Sequence, residues 1–443
     1  MEFLSADKIL IVDLAAGDIS EEELPEDLVQ EHIGGAAVCK YLYEAHAEAE
    51  PIVLGTGLLT GTLCPGAATG IISAKSPRTG QLAHAPITLK SAIELKYSGF
   101  DYVVIKGSSQ SPVFLWLHDS VADIMDASDV WDLDTWQTTD AWRQNLGEDI
   151  IQTMVVGRAG ISGSSLAQII LNYWASGDRF GFGALFAQKN LKGVAMRGMG
   201  LLEVADPEGF VDKSLELLEN IKNGPLAGKY GAGEIGTALG DPEFNDWLEP
   251  LIHRHSACFN TPYATNSFVF LDEDPARKED PRTPEPGLLV TDVQALMTLK
   301  KQGLQAEDAC RIMKNCLKQG IDTAGAAELA SQKGLATAGE IEQLLEKIAS
   351  AAETAVEARQ DIFSPWCPAQ PVFGQFETGS DPEALKKWWK RRQAVAYIFG
   401  IHPLFSVMSA ELSEDILLEL ANMGAELDLS PEDLQQAVDY LQA

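Results

Sequence analysis

Short apolar runs in the first two hundred residues alternate with polar positions and predict β-strands. The run at residues 8–14 alternates and then reaches Ala-Gly-Asp at 16–18, so residues 19–24 are expected to return as a hairpin partner. Residues 27–46 have a helical pattern that Gly34 and Gly35 interrupt. Further strand-like runs, separated by segments rich in Gly, Pro, Ser and Thr, lie at 51–55, 70–74, 102–106, 113–118 and 153–156.

Beyond residue 205 the apolar positions recur with helical spacing behind capping signals. Asp206, Asp381, Ser413 and Ser430 each stand before acids or proline and an apolar helical pattern. Helices are predicted over 206–222, 289–302, 306–319, 339–358, 382–399, 413–423 and 430–441, with an exposed linker over 272–286. The chain is therefore predicted to be α+β, with a β-rich domain over 1–204 and mostly α-helical domains over 205–330 and 331–443.

Composition narrows the function classes. The 443 residues are 46% apolar, which is typical of a globular chain with well-buried cores. Lys and Arg number 33 against 65 Asp and Glu, and the net charge of −32 makes nucleic acid and anionic membrane unsuitable partners. No basic leader or long apolar run is present, so we expect a soluble cytoplasmic protein. The six cysteines form no CxxC pair and are expected to be reduced.

Three glycine-containing segments could approach a ligand closely, at 54–61, 74–80 and 178–198. Glycine leaves backbone N–H groups free to face an anion, and Lys75, Arg78 and Lys189 could add positive charge near a phosphate. A strand-rich domain also needs glycine turns for purely structural reasons. The composition of these segments leaves both interpretations open.

In their order and amino-acid sequence these segments resemble the aldehyde ferredoxin oxidoreductase family, whose members carry a tungsten bis-pterin cofactor and a four-iron cluster. The matching blocks lie at 9–14, 33–35, 57–62, 74–80, 94–101, 183–184, 189–198 and 320–323. The resemblance implies an N-terminal domain of two β-sheets that cradles the pterins, followed by two largely helical domains. The C-terminal helical part is shorter here than is usual in the family.

The resemblance also implies which positions would face the cofactor. They are Lys75, Ser76, Arg179, Gly181, Gly183 and Asp322. Several other contacts differ from the family pattern: Thr69 replaces an arginine, and residues 86–89, Pro-Ile-Thr-Leu, replace Asn-Ser-Gly-Gly. Phe180 and Phe182 interrupt the glycine motif and are expected to fill space near the ligand.

The cluster ligands are replaced at three of four places. The family run of three cysteines reads Cys258, Thr261 and Thr265 here, and His402 stands where the fourth cysteine is found. A four-iron cluster is held by four thiolates, so we expect no cluster, with Cys258 and His402 as remnant metal positions.

Two functions follow from this pattern. The first is a degenerate family member without cofactor, acting as a non-catalytic subunit or as a binder of another ligand. The second is an active oxidoreductase that uses tungsten or molybdenum on two pterins to oxidise an aldehyde to a carboxylic acid and passes electrons to ferredoxin or a partner subunit. The expected partners are thus a second subunit or a ferredoxin-like protein, in a homodimer or heterodimer.

Three further features carry alternative hypotheses. His253 and His255 could form a zinc site with Cys258 and His402, although alternate residues of an extended segment point to opposite faces. His84 could be catalytic, or a hydrogen-bonded core residue. Residues 388–392, Trp-Trp-Lys-Arg-Arg, together with Trp366, form either a docking surface for an acidic partner or a helix that buries one Trp and pairs its basic face with acids.

Overall fold

The computed structural model describes residues 3–147, 150–175, 177–271, 287–351, 371–372, 376 and 381–443. The predicted linker at 272–286, the end of the predicted helix at 352–358, and Trp366 lie outside the described residues. No helix in the described ranges is long and apolar enough to cross a membrane.

The first sheet has six strands in the order β2-β1-β6-β3-β4-β5. Its strands are β1 (Lys8–Asp13), β2 (Asp18–Glu23), β3 (Ile52–Thr56), β4 (Gly70–Lys75), β5 (Leu82–Ile87) and β6 (Tyr102–Lys106). β1 and β2 form the predicted antiparallel hairpin, and β1 also pairs with β6 in parallel. The strand-like runs of the sequence analysis at 51–55, 70–74 and 102–106 are therefore confirmed.

The second sheet also has six strands, in the order β11-β10-β9-β12-β7-β8. Its strands are β7 (Val113–His118), β8 (Val121–Asp126), β9 (Gln152–Val156), β10 (Ile169–Leu171), β11 (Trp174–Ala175) and β12 (Leu191–Arg197). β12 lies at the centre, parallel to β7 and antiparallel to β9.

Residue alternation along the first sheet gives it two apolar faces. In β1, Leu10 and Val12 pack into one core with residues of the second sheet such as Met154. Ile9 and Ile11 point to the opposite face and join a second, larger core with the helices. Side chains alternate across a strand, so a continuous apolar run such as that of β1 is buried on both faces.

Six helices belong to the N-terminal part: α1 (Glu26–His32), α2 (Gly35–Ala45), α3 (Ser91–Tyr97), α4 (Thr135–Leu146), α5 (Arg158–Ile161) and α6 (Phe182–Gln188). The helical pattern at 27–46 is indeed divided at Gly34.

Eleven helices follow in the described part of the remaining chain. They are α7 (Pro207–Lys222), α8 (Gly231–Ala238), α9 (Phe244–Leu248), α10 (Val293–Lys301), α11 (Ala306–Gln319), α12 (Thr323–Gln332), α13 (Ala338–Ser350), α14 (Pro382–Phe399), α15 (Pro403–Met408), α16 (Glu414–Ala425) and α17 (Pro431–Gln442). All four predicted caps, Asp206, Asp381, Ser413 and Ser430, accept a backbone N–H hydrogen bond at a helix start.

A third sheet was not predicted. It consists of β13 (Ile252–Ser256), β14 (Asn266–Val269) and β15 (Leu288–Val290), which are antiparallel. The helix predicted from residue 289 therefore begins only at Val293, because Asp292 caps it by accepting the N–H of Ala295 at 2.9 Å. The apolar residues before this cap pair with β14 instead.

Candidate functional site

Three of the candidate cofactor residues meet where the segment before α6 reaches the start of α12. The Ser76 hydroxyl donates to the carbonyl oxygen of Phe180 at 2.7 Å. The Nε atom of Arg179 lies 3.7 Å from Oδ1 of Asp322, and both side chains are 3% exposed. Ser76, Arg179 and Asp322 are far apart along the chain and lie in one region of the structure.

The two candidate glycines lie in the same region and permit close packing of protein on protein. Gly181 has φ = 82°, which favours glycine, and a Cβ there would stand 3.0 Å from Pro77 and from the carbonyl oxygen of Ser165. A Cβ on Gly183 would stand 3.1 Å from Ala167. The close approach that the glycine motif predicts is therefore made to neighbouring chain segments.

Lys75 lies apart from this group. Its side chain is half exposed, and its ammonium lies 2.7 Å from the carboxylate of Glu50. This hydrogen bond and the charge of Glu50 raise the pKa of Lys75 above its usual value.

Arg179 is the centre of a buried ion-pair network that includes two residues outside the candidate set. Its Nη2 atom donates to Oδ2 of Asp292 at 2.7 Å. Arg78 extends the network, because its Nη1 atom donates to the carbonyl oxygen of Arg179 at 2.7 Å and lies 3.4 Å from Oδ2 of Asp322. Burial opposes the charged form of Arg179, but Asp292 and Asp322 outweigh it and hold its pKa above the usual value.

The sequence analysis noted Arg78 only as a possible source of charge and missed Asp292. The position of Asp292 before an apolar helix signals a cap, and it does cap α10, but nothing in the local pattern indicates an ion pair with a residue 113 positions away. Only the fold brings the two together.

Asp178, next to Arg179, is a third carboxyl group in this region and is fully buried. Burial is the main cause that raises its pKa to about 7, whereas the backbone N–H groups of Phe180 and Ile169 act in the opposite direction by donating to its oxygens. The protonated form is therefore favoured below neutral pH.

Phe180 and Phe182 are fully buried in the core between the two sheets. Their ring centroids lie 5.8 Å apart, and they share this core with residues such as Ile169 and Met154. The two rings therefore fill space in this core, where they contact other side chains.

The arrangement does not fit the tungsten bis-pterin cofactor that the resemblance implies. Ser76, Thr69 and Phe180 have no exposed surface, Arg179 is 3% exposed and Asp322 is 2% exposed. Residues 86–88 are buried as well, in and after β5. A cavity large enough for two pterins would leave exposed surface on the side chains that line it. These residues contact protein atoms, and Nη2 of Arg179 is hydrogen-bonded to Asp292. Nε of Arg179 and Oδ1 of Asp322 lie 3.7 Å apart and have no hydrogen-bond partner among the described residues.

The remnant cluster positions also lack a suitable donor set. The Cys258 sulfur lies 3.9 Å from the Thr265 hydroxyl, and the Thr261 hydroxyl donates to the carbonyl oxygen of Cys258 at 2.7 Å. Burial raises the pKa of the Cys258 thiol, and burial lowers the pKa of His402 to about 4. One thiol that resists ionisation, two hydroxyls and an imidazole do not fit a four-iron cluster.

The zinc hypothesis is wrong for the described ranges, which include all four of its residues. No group of three or more His, Cys, Asp and Glu residues there is placed to hold a metal ion. The ring of His253 stacks on Phe270 with centroids 4.3 Å apart, and Nδ1 of His255 lies 3.1 Å from the Ser267 hydroxyl. The two histidines thus contact different neighbours.

His84 is a hydrogen-bonded core residue. It is 1% exposed, and its Nδ1 atom lies 2.7 Å from the Ser73 hydroxyl. Burial, followed by the charge of Lys40, lowers its pKa to about 3, so the ring is neutral at physiological pH.

The described part of the basic aromatic segment is a helix that buries Trp389 and pairs Arg391 with an acid, which agrees in part with one of the two hypotheses. Trp389 is 5% exposed. Arg391 contacts both carboxylate oxygens of Glu414, at 2.8 and 2.6 Å. Arg392 donates to the carbonyl oxygens of Leu412 and Ser406.

Comparison with known proteins gives a consistent family assignment for the N-terminal part. Residues 9–198 match the family model described as aldehyde ferredoxin oxidoreductase, N-terminal domain. A tungsten-containing aldehyde ferredoxin oxidoreductase of Pyrococcus abyssi is 34% identical over 274 residues, which are 60% of this chain and 44% of that protein. An aliphatic sulfonate oxidoreductase, WOR-like subunit, of Pyrococcus furiosus is 27% identical over 257 residues, 53% of this chain and 41% of that protein.

The chain thus spans less than half the length of these curated relatives. Among solved structures, the active site complex BamBC of benzoyl coenzyme A reductase with 1,5-dienoyl-CoA matches with a TM-score of 0.80 at 17% identity. That match covers 100% of this chain and 88% of the other, and at this identity it establishes the fold alone.

Proposed function

We propose that the chain is a non-catalytic subunit related to the aldehyde ferredoxin oxidoreductase family, whose N-terminal domain model matches residues 9–198, and that it keeps the family fold without building the tungsten-pterin and iron-sulfur centre. The observation that carries this proposal is the buried network in which Arg179 pairs with Asp292 at 2.7 Å and faces Asp322 at 3.7 Å. Arg179 and Asp322, two of the residues expected to face the cofactor, face each other, and Arg179 is hydrogen-bonded to Asp292.

A cofactor phosphate would have to compete with these carboxylates for Arg179. Removing the guanidinium from Asp292 would leave a carboxylate that is 6% exposed without its charged partner, at a cost of about 3–5 kcal/mol. Two arginines, Arg78 and Arg179, face two carboxylates, Asp292 and Asp322, so the network has no surplus positive charge that would attract an anionic group. The network therefore favours the closed arrangement over a bound pterin phosphate.

Electron transfer meets a second obstacle. Cys258 is the one thiol at the four cluster positions, and burial raises its pKa, which disfavours the thiolate that binds iron. A ferredoxin-like partner needs a redox centre within the chain to exchange electrons with. We therefore favour a structural partner chain, in a heterodimer or larger assembly, over ferredoxin.

The names of similar proteins are consistent with a subunit role. One relative is named as the WOR-like subunit of an aliphatic sulfonate oxidoreductase, and the similar solved structure is a complex, BamBC. Proteins of this fold thus occur as parts of assemblies.

The competing function is an active tungsten or molybdenum oxidoreductase that acts on an aldehyde. Its support is the 34% identity to a protein named as a tungsten-containing aldehyde ferredoxin oxidoreductase. This function requires the network around Arg179 to open and another subunit to supply the cluster.

Native mass spectrometry of the protein, isolated anaerobically from its own cells, tests the proposal. We expect a complex with a second, different chain, in which the mass of this chain equals that of the polypeptide alone. A chain that carries the added mass of a metal-pterin group, or one found only as a monomer or homo-oligomer, would contradict the proposal.

A further inference from the structure

A cavity of about 570 Å³ lies away from the Arg179 network, where the second sheet's helices meet the helical part. The start of α4, helix α5, and the ends of α11 and α13 contribute its walls. The Thr135 hydroxyl ties α4 to α11 by donating to the carbonyl oxygen of Leu317 at 2.8 Å. The Ser162 hydroxyl ties α5 to α13 through Ile348 at 3.2 Å. The volume is typical of small-molecule sites, and these bonds preform it.

The lining carries charges of both signs that do not satisfy each other. Asp132 and Arg158 both line the cavity and are exposed. Neither side chain has a hydrogen bond or an ion pair with any residue in the part of the chain that the structure describes. Asp134 is also in the lining, where it caps α4 by accepting the N–H of Gln137 at 2.8 Å. With Arg158 at +1 and two aspartates at −2, the lining has a net charge of −1.

Backbone carbonyl groups and side-chain amides of the lining add further acceptors and donors to these charged groups. Helices α11 and α13 end at the cavity, and the carbonyl ends of helices favour a cation. Gln137 and Gln319 also line it, and in the described ranges their side-chain nitrogens have no hydrogen-bond partner. Arg158 and these amide nitrogens are suitable donors for a carboxylate, whereas Asp132 and Asp134 are suitable acceptors for an ammonium group.

We infer that this cavity binds a small zwitterion of the amino-acid type, with an ammonium group at Asp132 and Asp134 and a carboxylate at Arg158. A ligand with one sign of charge would leave the opposite charge of the lining without a partner. This site is separate from the closed cofactor region, and its ligand does not depend on the function proposed above.

Isothermal titration calorimetry with three probes tests this inference. The probes are L-lysine, cadaverine, which lacks the carboxylate, and hexanoate, which lacks both amines. We expect L-lysine to bind with a dissociation constant below about 1 mM, at least about tenfold more tightly than either analogue. Equal affinities for L-lysine and cadaverine, or no heat from L-lysine, would overturn the inference.

Variants of the lining assign the two charges. Arg158→Gln is expected to lower the affinity for L-lysine to that for cadaverine and to leave the affinity for cadaverine unchanged. Asp132→Asn is expected to lower the affinity for both probes about tenfold. Both residues are exposed and unpaired, so these substitutions are not expected to unfold the chain. Asp129→Asn is the matched control, because Asp129 is exposed, close in sequence and outside the lining. Loss of binding in Asp129→Asn equal to that in Asp132→Asn would contradict the assignment.

Discussion

Replacement of Arg179 by methionine tests whether the buried network is a structural element or an unoccupied ligand site. Methionine keeps the length of the apolar stem and removes the guanidinium. Asp292 then keeps its hydrogen bond from the N–H of Ala295 but loses its charged partner, and its side chain is 6% exposed. Asp322 keeps Arg78 at 3.4 Å. Breaking a buried pair of this kind costs about 3–5 kcal/mol, so we expect a loss of that size in the free energy of unfolding.

Urea unfolding, followed by circular dichroism, measures this loss against two controls. Arg311→Met removes an arginine that contacts Glu307 and Asp308 but is 31% exposed, and it is expected to cost no more than about 1 kcal/mol. The double variant Arg179→Met with Asp292→Asn keeps the helix cap and removes the unpaired charge. It is expected to recover at least about 1 kcal/mol relative to Arg179→Met.

A loss in the free energy of unfolding for Arg179→Met no larger than that for Arg311→Met would refute a structural role for the buried network. That result would mean that the Arg179 guanidinium is hydrated in solution and available to a ligand. The same conclusion would follow if Asp292→Asn lowered the free energy of unfolding further when added to Arg179→Met, because Asp292 would then have an interaction that does not depend on Arg179.

Two further predictions follow from the same region and from the packing of α14. The pKa of Asp178 is raised to about 7, so the folded chain holds a proton that the unfolded chain releases near pH 4. The free energy of unfolding therefore falls as pH rises from about 4 to 7, by up to about 1.4 kcal/mol per pH unit for this group. Urea midpoints at pH 5, 6 and 7 should therefore fall more steeply for the wild type than for Asp178→Asn, and parallel profiles would contradict the assignment. A Cβ at Gly57 would overlap the backbone of Gly400, so Gly57→Ala should lower the thermal midpoint by at least the equivalent of about 1–3 kcal/mol. Gly339, on α13, has open space around it, so Gly339→Ala should not lower the midpoint. Equal midpoints for the two glycine variants would show that the loop before β4 does not pack tightly on α14.

The sequence predicted the strands and the capped helices because their signals are local. The apolar run of β1 and capping groups such as Asp206 and Ser430 depend on residues within one strand or one turn. The third sheet was not predicted because β15 has three residues and is followed directly by the cap of α10. A strand this short has no periodicity that separates it from the first turn of a helix.

The candidate site was predicted in part. The resemblance identified Arg179 and Asp322, which the structure places 3.7 Å apart. It did not identify Asp292, which completes the network from another helix, and it included Lys75, which pairs with Glu50 at the surface. Long-range ion pairs leave no periodic signal, so their partners become visible only when the fold brings them together.

Metal content per chain distinguishes a chain without the metal-pterin cofactor and cluster from one that carries them. The protein should be isolated without oxygen from its own cells, grown with tungstate and molybdate, beside a tungsten-containing relative as a positive control. We predict tungsten, molybdenum and iron well below one atom per chain, together with a loaded control, because Arg179 is hydrogen-bonded to Asp292 and faces Asp322 and because Cys258 is the one thiol at the cluster positions. One atom of tungsten or molybdenum per chain, or about four of iron, would contradict it.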